Sequence, residues 1–281
     1  MNIKFTKMQG CGNDYIYING FIEQIPPTMK KELVIRLSDR HFGIGGDGVI
    51  FINPSVQADF EMEMYNADGS RSQMCGNGIR CVGKYVYDHF MTEKTDVSVV
   101  SAGQVKYLAM QTKDGKVSTV RVNMGQPELE AADIPVISSK SPVVEEPIEV
   151  LGKEYKMTCV SMGNPHAVVF VNDTKNLPME EIGPVFECHP AFPQRVNTEF
   201  VEIVDKTHIR MRVYERGTGE TLACGTGCCA SVVACILNGK TSRNVEVEVL
   251  GGKILVEWDE QTNEVFMTGP AETVFEGEIN V

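Results

Sequence analysis

The sequence predicts an α+β protein built from two related domains, and three observations carry that prediction: frequent apolar alternation, few helical stretches, and a set of landmarks that occurs twice in register. Alternation marks strands at Phe60 to Tyr65, Gln104 to Gln111, Lys116 to Met124, Thr198 to Val204, His208 to Tyr214 and Val245 to Leu250. Asp114-Gly115 reads as a hairpin turn between two of them. A helix is expected from about Thr28 to Arg40, with Thr28 as N-cap and Leu33, Val34 and Leu37 on one face. Two more helices follow the two Cys-Gly motifs described below, and the remainder reads as strand and turn. Strands are adjacent too often for a strictly alternating βαβ chain, so mostly antiparallel or mixed sheets packed around a few helices are expected.

The duplication is read from spacing. Asn13 follows a glycine and leads into Tyr15-Ile16-Tyr17-Ile18, and Asn164 follows a glycine and leads into Ala167-Val168-Val169-Phe170. These asparagines lie 62 and 60 residues before Cys75 and Cys224. A strand ending in Tyr65-Asn66 precedes the first cysteine and one ending in Tyr214-Glu215 precedes the second, with Asn66 and Glu215 each nine residues upstream. The motifs Cys75-Gly76-Asn77-Gly78 and Cys224-Gly225-Thr226-Gly227 share the pattern CGxG, and the turns at Gly103 and Gly252 each lie 28 residues past their cysteine. Two homologous halves dividing near Asn123 to Gln126 follow, and such halves commonly pack about a pseudo-two-fold axis with a cleft between them. The active site is expected in that cleft, with the two cysteines facing each other.

Composition narrows the function. A net charge of −12 argues against a polyanion partner, because nucleic-acid affinity rests on basic patches that release phosphate counterions. The apolar runs are far shorter than a membrane span needs, and no basic region followed by an apolar core opens the chain, so a soluble cytoplasmic protein is expected. Nine cysteines without an export signal point to reduced thiols. No CxxC pair occurs and the histidines lack metal-ligand spacing, so no metal is expected. The run Gly43-Ile44-Gly45-Gly46-Asp47-Gly48 looks like a phosphate loop but lacks the GK[ST] ending.

The cysteine pair carries the chemistry. Glycines after each cysteine let backbone approach a ligand and open a helix whose first N–H groups have no partner within it, so they can hold a carboxylate. The partial positive charge at a helix start favours thiolate over thiol, which makes each cysteine a better base. A thiol and a thiolate on opposite faces of an amino-acid α-carbon could remove a proton from one face and return it to the other. Backbone donors in a site closed to water would stabilise the developing enolate-like charge, so no cofactor is called for. Cys11, Cys81, Cys159, Cys188, Cys228, Cys229 and Cys235 read instead as small buried hydrophobes, and the two apolar helices as domain cores that carry the site without entering it. His166 is equally consistent with a satisfied loop histidine.

Seven segments resemble the diaminopimelate epimerase family, whose members interconvert LL- and meso-diaminopimelate: GNDY at 12–15, YNADGS at 65–70, MCGNGIRC at 74–81, VNMG at 122–125, SMGNPH at 161–166, RVYERGTGETLACGTG at 212–227 and MTGPA at 267–271. The resemblance implies that Cys75 and Cys224 are the catalytic thiols and that Gly76, Asn77, Gly225 and Thr226 receive the reacting carboxylate. It implies that Asn13, Asn66, Asn164, Asn197, Glu215 and Arg216 bind the rest of the substrate, with Glu215 and His166 tied to activity. Many members carry a substrate-contacting glutamine where this chain has Gly48, which by the repeat corresponds to Asn197. The implied fold is two pseudo-symmetric α/β domains, each a mixed sheet around a central helix. The implied boundaries are 1–124 with 268–281 and 125–267, so that the last strand returns to the first domain. A homodimer is implied as well.

Three other readings compete. Proline racemase and hydroxyproline epimerase relatives also use paired cysteines, but a cyclic imino acid does not need Asn66, Asn164, Asn197 and Arg216 to hold a second charged end. A cysteine hydrolase with His166 as base leaves the second cysteine and the duplication unexplained. A non-enzymatic amino-acid-binding protein needs the carboxylate clamp but no thiol pair.

Overall fold

The computed structural model describes residues 1–72 and 74–281, and the chain separates into two compact units, Met1–Val122 with Gly269–Val281, and Asn123–Thr268. The first unit begins with β1 (Asn2–Gly10), β2 (Asn13–Asn19), α1 (Pro27–Ser38), β3 (Gly48–Asn53) and β4 (Phe60–Asn66). It continues through α2 (Gly76–Asp88), β5 (Asp96–Ser101), β6 (Gln104–Lys113) and β7 (Lys116–Gly125). Consecutive strands are neighbours throughout. Only β2–β3 and β4–β5 are parallel, and those are the steps that contain a helix, because a parallel pair needs a crossover.

The second unit runs β8 (Glu146–Val150), β9 (Lys153–Ser161), β10 (Pro165–Phe170), α3 (Met179–Glu187), β11 (Asn197–Ile203) and β12 (His208–Glu215). A short β13 (Gly219–Thr221) follows, then α4 (Gly225–Leu237), β14 (Asn244–Val249), β15 (Gly252–Trp258) and β16 (Val265–Pro270). The chain ends in β17 (Glu272–Asn280), which pairs antiparallel with β1 from Asn2↔Asn280 onward.

The two units repeat each other strand for strand. The order β17-β1-β2-β3-β4-β5-β6-β7 in the first matches β8-β9-β10-β11-β12-β14-β15-β16 in the second, with the same parallel or antiparallel sense at every step. Register repeats too: Tyr15 faces Gly48 as His166 faces Asn197, and the bridge Tyr65↔Arg71 recurs as Tyr214↔Glu220. In the second unit the flanking strand precedes β9 in sequence; the first unit, which opens on β1, takes its flanking strand from the chain's end.

Each sheet wraps a central helix. α2 packs on β1, β2 and β6, and α4 on β9, β10, β11, β12, β14 and β15. Residues Gly76 to Val86 of α2 and Gly225 to Cys235 of α4 are all buried, so neither helix has a solvent face over that length. The mixed-sheet α+β class read from the sequence is the one observed.

Three local expectations are corrected. α1 starts at Pro27, one residue ahead of the expected cap, so Thr28 lies inside the helix. Proline's fixed φ and missing N–H suit a first helical position, where no intrahelical donor is needed. Leu33, Val34 and Leu37 are buried on its inner face as read. The second correction is α3, which lies where only strand and turn were expected; its nine residues contain Pro184 and are too short for a clear helical period. Glu180 and Glu181 in its first turn complement the helix dipole, and Gly183 lies flat on Tyr214, where a Cβ would come within 2.2 Å of the ring. Third, Cys188 is exposed rather than core, because it is the C-cap of that short helix.

Candidate active site

In the first unit, β4 delivers the chain through a turn into α2, whose N-cap is Cys75. The Cys75 Sγ accepts the Gly78 N–H at 3.2 Å and donates to Asn13 Oδ1 at 3.1 Å. The Asn13 amide is oriented from behind: its Nδ2 donates to Asp47 Oδ2 at 2.7 Å, and a carboxylate can only accept, so Oδ1 is left for the thiol. Arg40 in turn holds Asp47 at 2.9 Å and Asp14 at 2.7 Å, and Lys7 reaches Asp14 at 2.6 Å. Burial pushes the Asp14 carboxyl up, but the hydrogen bonds from Arg40 and Lys7 outweigh it and hold it below its ordinary value.

The loop that resembled a phosphate cradle is part of this support. The N–H groups of Ile44 and Gly45 bond to Leu37 O, that of Gly46 to Ser38 O and that of Asp47 to Asp14 O, so these donors are spent within the protein. Gly48 is where crowding by β4 forbids a side chain: a Cβ would stand 2.0 Å from the Tyr65 carbonyl oxygen and 2.8 Å from the Tyr15 ring. Asn66, paired with Gly48 in the sheet, is half-buried and bonds Ser70 Oγ at 3.1 Å. Beyond Cys75, Gly76 and Asn77 form the first turn of α2, and the Asn77 Oδ1 accepts from Arg80 Nη2 at 2.8 Å.

In the second unit Cys224 caps α4 in the same way, accepting the Gly227 N–H at 3.4 Å, with Thr226 Oγ1 at 3.5 Å. Its surroundings differ. Burial, then the charges of Glu215 and Glu199, push the Cys224 thiol well above its ordinary value, against smaller opposing effects from Thr226 and the Gly227 N–H. A helix start favours thiolate, but at Cys224 desolvation and two carboxylates outweigh it. The Glu215 carboxyl is itself pushed up, first by burial, and accepts from Thr221 Oγ1.

Asn164, His166, Asn197 and Arg216 are brought together around the ends of β10 to β12. His166 lies in β10 rather than in a loop and is fully buried, with Nδ1 2.7 Å from Glu199 Oε1 and Nε2 3.0 Å from Asn164 Oδ1. Asn197 donates from Nδ2 to Pro165 O at 2.8 Å and accepts the Arg216 N–H on Oδ1 at 2.9 Å, while the Arg216 guanidinium donates to Gln194 O at 3.0 Å.

Sequence reasoning passed over four residues that the structure places against site residues: Asp47, Arg80, Glu199 and Thr221. Arg80 was absorbed into an apolar helix, yet it is fully buried and donates to Gly76 O and Pro270 O at 3.1 Å each as well as to Asn77. A lone arginine in such a helix was the available signal; for Glu199 it was a carboxylate between Thr198 and Phe200 in a strand buried on both faces. Among the described residues no group of three or more His, Cys, Asp and Glu is placed to hold a metal ion, and no helix is long and apolar enough to cross a membrane.

Comparison with known proteins places the fold and the family. Solved structures of similar fold include a Bacillus anthracis phenazine biosynthesis protein of the PhzF family, 14% identical with TM-score 0.72 and full coverage of both chains. Another is an Agrobacterium vitis hydroxyproline epimerase, 16% identical with TM-score 0.68, covering 99% of this chain and 91% of that one. At such identities the likeness concerns fold alone. Sequence relatives are far nearer. The diaminopimelate epimerase of Agathobacter rectalis is 54% identical over 99% of this chain and 100% of its own. That of Acetivibrio thermocellus is 53% identical over 99% of each, and that of Leptospira biflexa 52% over the whole of both. The diaminopimelate epimerase family profile itself matches residues 5–130 and 158–274, and the chain belongs to that family.

Proposed function

We propose that this protein interconverts LL- and meso-diaminopimelate by a cofactor-independent proton transfer in which Cys75 and Cys224 act as acid and base. The observation that carries the reading is the repetition of one device: a cysteine capping a buried helix, at equivalent places in two copies of one fold, with an N–H of the first turn bonded to each sulfur. One base alone returns a proton to the face it came from, whereas two thiols on opposite faces invert the centre in one pass and exchange roles in reverse. A duplicated scaffold suits a reaction that is itself nearly symmetric.

In this reading the backbone amides at Gly76, Asn77, Gly225 and Thr226 take the reacting carboxylate, whose charge grows as the α-proton leaves. Cys224, held as a thiol by burial and by Glu215 and Glu199, is the resting acid. Asn13, Asn66, Asn164, Asn197, Glu215 and Arg216 hold the rest of the substrate, and the planar fork of Arg216 matches the distal carboxylate. With Gly48 closed to side chains, that polar contact is left to the others. The protein is proposed to work in the cytoplasm as a homodimer, which sedimentation of the reduced protein tests.

The deciding experiment is incubation with LL-diaminopimelate in deuterated water without added cofactor, followed by NMR. Exchange of the α-proton together with formation of the meso isomer is expected. No exchange there, with exchange on proline or hydroxyproline, would keep the thiol mechanism and reject the substrate.

A further inference from the structure

The second unit buries an ion pair that its fold does not require. Glu199 and His166 are both fully excluded from solvent, with Oε1 and Nδ1 2.7 Å apart. In the repeat, the place of His166 is taken by Tyr15, and that of Glu199, two residues past Asn197, by Ile50, two past Gly48. Tyrosine and isoleucine thus serve the same strand positions in the first unit. A buried charged pair gains little over well-packed apolar side chains, because desolvating both ions offsets their attraction. Retention of the pair calls for another reason.

The hydrogen bonding around the ring supplies one. A carboxylate only accepts, so Nδ1 carries a proton toward Glu199. On the other side Nε2 stands 3.0 Å from Asn164 Oδ1, which also only accepts. Both ring nitrogens are satisfied when both are protonated, and the resulting positive ring is matched by Glu199. Gly227 leaves room for this carboxylate at the first turn of α4: a Cβ there would come within 2.6 Å of its Oε1. With Oδ1 committed to the ring, the Asn164 amide presents its NH2 to anything that approaches.

We infer that Glu199 is a positioning residue: through His166 it turns the Asn164 amide so that it meets the substrate as a donor to a carboxylate and not as an acceptor from an ammonium. The inference rests on Asn164 contacting substrate, as proposed above. A neutral ring with a bare Nε2 would reverse the amide and reject the same carboxylate. Glu199 thereby converts a buried charge into selectivity for an anionic group. The other titratable groups that act on this cluster are Glu215 on β12, Cys224 at the start of α4 and Cys159 on β9.

The test has two arms. In protein labelled with 15N-histidine at pH 7, with the signals assigned by their loss in His166→Gln, both ring nitrogens of His166 are expected to be protonated. In Glu199→Gln one of them is expected to move to the shift of an unprotonated nitrogen. Steady-state kinetics of Glu199→Gln should show KM raised about tenfold or more, the scale of one hydrogen bond to a charged group; because the Glu199 charge also acts on the Cys224 thiol, kcat is expected to change as well, and KM is the quantity that reads the positioning role. An unprotonated Nε2 in the native protein overturns the inference whether or not the variant folds. So does a variant whose KM is unchanged. The NMR arm needs no turnover, so an inactive protein with a doubly protonated His166 would reject the proposed reaction while leaving the Glu199–His166–Asn164 arrangement standing.

Discussion

The start of α2 and the start of α4 share a backbone and differ in charge. Each is capped by a cysteine whose sulfur accepts an N–H three residues on, at the same step of the same strand order. The Cys75 thiol donates to an amide oxygen, that of Asn13, held by an Asp47–Arg40 pair that sits behind it. Around Cys224 stand Glu215 and Glu199, whose charges add to burial and keep the thiol protonated. Duplication copied the hydrogen-bond scaffold, which depends on chain path; it did not copy the field, which depends on a few side chains that diverged. A near-symmetric reaction can thus run on two thiols whose resting states are set separately.

The comparison breaks most completely if the thiols themselves are removed. Cys75→Ala and Cys224→Ala should each lower turnover by about a hundredfold to ten-thousandfold, the range of a positioned acid or base, in an assay that follows isomer formation. A near-native rate in either variant would remove the two-thiol mechanism. A smaller effect is expected from behind the first thiol. Asp47→Ala frees the Asn13 amide and should cut kcat/KM by about tenfold, as one charged hydrogen bond is lost; an unchanged value would show that Asn13 is held without it.

The smallest effect sharpens the electrostatic side. After burial, the Glu215 charge does most to hold the Cys224 thiol up. Glu215→Gln removes it, so thiolate forms at lower pH and the limb of the kcat/KM profile that reports Cys224 should move toward acid. Movement toward base would mean that Glu215 acts on that thiol by something other than its charge.

Much of the site was legible because it is written in local order. The CGxG motifs, the asparagines before them and the equal spacing to the turns at Gly103 and Gly252 survive as sequence, and each motif cysteine does cap a helix. Alternation located β6, β7, β12 and β14 because a strand with one buried face shows its period directly; it also located β4 and β11, although both are buried over most of their length. α3 was not legible, since nine residues with an internal proline show no period.

What the sequence by itself determined is the duplicated frame and the two cysteines that cap its helices: helix starts, strand periods and motif spacing are properties of neighbours along the chain. Only the tertiary structure decided the character of the site. Asp47 orients Asn13 from 34 residues away and Glu199 meets His166 from 33, distances over which no periodicity in the chain reports a contact. The state of Cys224 depends on how much water is excluded and on which carboxylates the fold brings near. Both are sums over groups that become neighbours only when β10, β11, β12 and α4 pack together.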